Sequence, residues 1–64
     1  NLKQEIMSKL EKFKKYIKEQ IVKYPSLKEE IVELYDLAIM EIEEGSSIDN
    51  EISLCEDSIK ELIK

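Results

Sequence analysis

"YPSLKEEIVELYDLAIMEIEEGSS", residues 24–47, holds the only proline and the only glycine of the chain, Pro25 and Gly45. These two residues divide the sequence into segments of 24, 19 and 19 residues. Proline removes a backbone donor and pushes the residue before it out of helical geometry, so a helix arriving from the N-terminus must end by about Lys23. Glycine supplies the left-handed residue that closes a helix. Between them the apolar residues recur with helical rather than strand periodicity. At about 100° per residue, Leu27, Ile31, Val32, Leu34, Tyr35, Ala38, Ile39 and Ile42 cover an arc of roughly 160°, wide enough to touch two neighbouring helices. The segment is therefore predicted to be the middle helix of three, at about residues 27–44.

Its start carries the pattern of a capping box. Ser26 precedes Glu29 by three residues, so that each side chain is expected to satisfy a backbone donor of the other. Glu29 and Glu30 would then lie in the first turn, where the helix dipole favours negative charge.

The flanking segments read in the same way. Leu2, Ile6, Leu10, Phe13, Ile17, Ile21 and Tyr24 recur at spacings of three and four, which places them along one side of a helix over about residues 2–23. In the last segment Ile48, Ile52, Cys55, Ile59 and Leu62 form a narrow stripe over about residues 48–63, with Ser47 the favoured N-cap and only Leu54 and Ile63 interrupting a polar remainder. Short connections make successive helices antiparallel neighbours. The expected fold is all-α, one domain over residues 1–64: an up-down-up three-helix bundle or helical array, completed by oligomerisation if the core is too small.

Size makes that last point matter. A chain of 64 residues buries only about 60% of its unfolded surface, and its core supplies roughly 3–5 kcal/mol. One cysteine and no histidine remove disulfides and most metal sites from the usual means of stabilising so small a chain, leaving helix packing and association. A lone thiol suits a reducing compartment, and no apolar run is long enough to span a bilayer, so the chain is expected to be cytoplasmic. Its first residue is Asn1 rather than methionine, which predicts an initiator or a longer segment before it.

Charge is unevenly placed. Residues 1–25 carry seven lysines against three glutamates, a net of +4, whereas residues 26–64 carry three lysines against twelve acids, a net of -9. Weak pairing between a basic helix and acidic neighbours accounts for this simply. Phosphate binding by Lys9, Lys12, Lys14, Lys15 and Lys18 is the sharper alternative, but the chain has no arginine, is acidic overall and commits Phe13 to the core stripe. Nucleic acid is therefore not the expected partner, and neither is a membrane, because the apolar stripe of the basic helix is needed to cover the other two.

Chemistry finds little to work with. There is no histidine and no glycine-rich loop, and Cys55 falls on a packing stripe, where a thiol behaves as a small hydrophobe. Glu41 and Glu44 share a helix face, yet the sequence lacks the ligand order of a calcium loop. No enzyme activity, cofactor or metal site is predicted.

What remains unexplained is the second helix's surface. Leu37 lies about 60° beyond the edge of the apolar arc, and Met40 lies near the opposite face among Glu33, Asp36 and Glu44. Single exposed apolar residues are ordinary on a protein surface. Leu37, Met40 and Leu54 together, rimmed by those acids, would instead suit a protein partner with apolar anchors among lysines or arginines. The predicted function is thus a small acidic protein–protein interaction module, a homo-oligomer or one that docks to a larger partner. The alternative is an acidic mimic of nucleic acid that inhibits a nucleic-acid enzyme.

The stretch "LKEEIVELYDLAIMEIEEGSSIDNEISLCEDSIKELI", residues 27–63, resembles the C-terminal part of small uncharacterised helical proteins encoded by large tailed bacteriophages. In these a "DEIEEG" type of helix end is followed by a serine, an acid and a second short helix. The resemblance covers a little over half the chain and carries no site residues. It implies a phage accessory protein in the bacterial cytoplasm or associated with a virion.

Overall fold

The structure, a computed structural model, describes residues 2–64; Asn1 lies outside the described residues. Three helices form an all-α bundle: α1 spans Leu2–Lys23, α2 Lys28–Glu43 and α3 Ile48–Ile63, with a short 3-10 turn at Pro25–Leu27 between the first two. An ion pair between Lys9 Nζ and Asp49 Oδ1, 3.1 Å apart, ties the N-terminal half of α1 to the first turn of α3. Further along, Tyr16 of α1 lies near Cys55 and Glu56 of α3, so these two helices run in the same direction, with α2 opposed to both.

Both connections follow from their special residues. Tyr24, displaced by Pro25, has φ -131° and ψ 66° and ends α1. Gly45, at φ 109°, lets the chain reverse at the other end. Around it Ser46 N–H donates to the Glu41 carbonyl at 3.0 Å and Gly45 N–H to that of Ile42 at 3.1 Å, the paired bonds of a Schellman motif. Ser47 caps α3, its Oγ accepting from Asn50 N–H at 3.4 Å.

The expected capping box at Ser26 does not form. Leu27, not Ser26, directly precedes α2, and no side chain caps the helix. Pro25 favours a 3-10 turn, in which Leu27 N–H reaches the Tyr24 carbonyl at 2.9 Å and Lys28 N–H that of Pro25. The turn moves the N-cap position of α2 from Ser26 to Leu27, whose side chain has no oxygen to accept a backbone donor.

Phe13 and Ile17 of α1, Ile31 and Ala38 of α2, and Cys55 and Ile59 of α3 make up the buried core. The Phe13 and Tyr35 rings pack with centroids 5.2 Å apart, tilted by 44°. Leu27, Leu34, Tyr35 and Ile39 close over the cluster as the arc on α2 predicts.

Three placements correct the apolar stripes. Leu2 and Ile6 are exposed although in register, because α1 has 22 residues against 16 in each partner and overhangs them by about 9 Å. Ile63, expected at the surface, packs on the core while Leu62 is 39% exposed. A step of four from Ile59 drifts only about 40° and keeps Ile63 over α3's inner face, whereas a step of three turns Leu62 away. Tyr16 and Gln20 also turn inward, which widens the buried face of α1 because it contacts two helices.

Candidate functional site

α2 and α3 pack closely, yet their outer edges leave a shallow groove of about 350 Å³. Leu34, Leu37, Ala38 and Glu41 form one wall and Glu51, Leu54, Cys55 and Ser58 the other. Each wall repeats at three and four residues, so one edge of each helix faces the groove along about two turns. Its floor is set by the small side chains Ala38 and Cys55, both buried. Small residues at that level bring the two backbones close and leave the longer leucines standing at the rim.

Leu37 and Leu54 are those leucines, 54% and 60% exposed. Glu41 and Glu51 stand with them, and no lysine lines the groove. Because α2 and α3 are antiparallel, both carboxylates lie at the Gly45 end of the groove, one turn from the leucine pair, with Leu34 and Ser58 at the other end.

Of the residues singled out from sequence, then, the fold brings Leu37 and Leu54 into one groove. Met40 is 54% exposed but lies outside it, about 60° further round α2. Glu33, Asp36 and Glu44 are exposed on that same outer side of α2 and do not line the groove. Glu41 and Glu51 take their place. Nothing in the hydropathy pattern marks those two, because which side chains face the groove depends on how far α2 and α3 are rotated about their own axes.

The thiol beneath the groove is chemically quiet. Burial pushes Cys55 up to about 11, and the Glu56 carboxylate adds to the effect. Near neutral pH it is a protonated, packed side chain and a poor nucleophile. Burial also raises the phenol of Tyr16, assisted by Glu56 and Cys55. Among the described residues no three histidine, cysteine, aspartate or glutamate side chains converge to hold a metal ion, and no helix is long and apolar enough to cross a membrane.

The groove offers two leucines to an apolar group and two carboxylates to a cation beside it. No protein-family model, curated protein or solved structure matches this chain.

Proposed function

We propose that the protein is a small interaction module that binds another protein through the acidic and apolar surface of α2 and α3. The observation that carries this reading is the pairing of Leu37 and Leu54, one from each helix, at the rim of a groove that has Glu41 and Glu51 together at one end. Apolar anchors at the centre of a patch with charge at its edge are the usual anatomy of a protein interface. The resemblance of residues 27–63 to small phage proteins supports an accessory role in a bacterial cytoplasm or on a virion.

Leu37→Glu with Leu54→Glu tests this reading. Both positions are exposed, so the fold should persist by circular dichroism while association, with itself or with a larger partner, is lost. An acidic mimic of nucleic acid would bind through carboxylates alone and would be left intact or strengthened by the same pair. Unchanged association in the double variant would exclude the groove as the interface.

A further inference from the structure

The groove calls for a partner that presents an apolar group among lysines, and the chain carries such a surface on α1. Val22 is 80% exposed, the most open of the large apolar residues described. It shares a shallow surface with Lys15, Lys18, Glu19 and Lys23. At about 100° per residue Val22 lies roughly 140–180° from Ile17 and Phe13, so it faces directly away from the core. Lysine stems beside it extend the apolar area while their ammonium groups stay in water.

We propose that the groove between α2 and α3 receives the Val22 face of α1 from a second copy of this chain. The inference rests on the reading of the groove as a protein-binding surface and adds the identity of the occupant. Charge complementarity favours it: residues 1–25 carry a net of +4 and residues 26–64 a net of -9, so unlike surfaces meet when α1 of one copy faces α2 and α3 of another. Val22 would enter between Leu37 and Leu54, with Lys15, Lys18 and Lys23 beside Glu41 and Glu51. Contact between two grooves would instead bring carboxylates together, and contact between two α1 faces would bring lysines together.

The geometry sets the kind of assembly. α1 contributes nothing to the groove, and Val22 faces away from the helices that form it, so the two surfaces cannot meet within one copy. Each copy has one surface of each type. The contact is head-to-tail, which gives an open series or a ring rather than a self-complementary dimer. A single helix face in a short groove is small for a stable interface, so molar mass should climb with concentration and fall with salt.

Charge-swap complementation, read by light scattering behind a sizing column up to about 1 mM protein, tests the pairing. The first variant is Lys15→Glu, Lys18→Glu and Lys23→Glu; the second is Glu41→Lys and Glu51→Lys. Alone, each places like charges across the contact and should weaken association about tenfold or more. An equimolar mixture restores opposite charges at every contact and should recover the wild-type mass. Should either variant lose its helical circular dichroism, Lys18→Glu with Glu51→Lys repeats the test with one change per chain. A wild-type chain that is monomeric at the highest concentration, or a mixture that stays as weak as its components, overturns the inference. Failure of the groove itself is seen separately: the chain would associate, and Leu37→Glu with Leu54→Glu would leave that association unchanged.

Discussion

Ile59→Ala probes how little stability this fold has to lose. Ile59 is 0% exposed and sits in the cluster formed by Phe13, Ile17, Ile31, Ala38 and Cys55, with all three helices around it. Truncation removes the transfer energy of the lost carbons and leaves a cavity that the helices can only partly close, a cost of about 2–5 kcal/mol for a buried isoleucine. The whole core of a chain this size supplies roughly 3–5 kcal/mol, so the variant should keep little of it and unfold at low urea. Leu62, three residues away, provides the control. It is 39% exposed and lies off the core, so Leu62→Ala should cost well under about half as much. Urea titration followed by far-UV circular dichroism, at a protein concentration low enough to suppress association, measures both. With a slope near 1 kcal/mol/M, a loss of about 3 kcal/mol moves the midpoint by roughly 3 M. Equal shifts for the two variants would refute the placement of α3's inner face, and a larger shift for Leu62→Ala would mean that α3 is rotated.

Three further outcomes follow from the connections and the buried thiol. Gly45→Ala meets no neighbouring atom within 4 Å but must adopt φ 109°, so it should lower stability by about 1–3 kcal/mol through backbone strain alone, seen as a lower urea midpoint with unchanged slope. Ser47→Ala removes the oxygen that accepts from Asn50 N–H and should cost about 0.5–1 kcal/mol, whereas Ser26→Ala, with no capping bond to lose, should stay within about 0.3 kcal/mol of the parent; the reverse order would restore the capping box at Ser26. Cys55 is pushed from 9.0 up to about 11, so the folded state holds this proton more tightly than the unfolded chain does. The stabilising contribution is intact below pH 9.0 and is lost as pH rises through about 11, read as a fall in the urea midpoint across that window. The raised Tyr16 phenol acts in the same direction. Cys55→Ala should flatten the alkaline decline, and identical declines in parent and variant would contradict the assignment.

The order of elements was legible because it depends on local chemistry. Pro25 and Gly45 act through their own backbones, whatever surrounds them, and the spacing of Phe13, Ile17, Ile31, Ala38, Cys55 and Ile59 marks a helix face without knowledge of the neighbour it meets. Local pattern misled where two local solutions compete. At Ser26 a capping serine and a proline-led 3-10 turn compete for the same stretch of backbone, and the turn shifts the N-cap one residue on to Leu27.

Register and rotation are another matter. A helical wheel assigns angles about one axis but says nothing of where that axis ends relative to its partners. Leu2 and Ile6 therefore look like core residues until α1 is seen to outrun the bundle, and Gln20 looks solvated until α1 is seen to touch two helices. The groove depends on the same information. Leu37 and Leu54 are 17 positions apart and become neighbours only when Ala38 and Cys55 let α2 and α3 approach. Composition and periodicity thus determined three helices, the breaks between them at Pro25 and Gly45, and the charge of each half of the chain. Tertiary packing decided which carboxylates share the groove with the leucines and where Val22 and its lysines are displayed, because those outcomes depend on distances between helices that no single helix encodes.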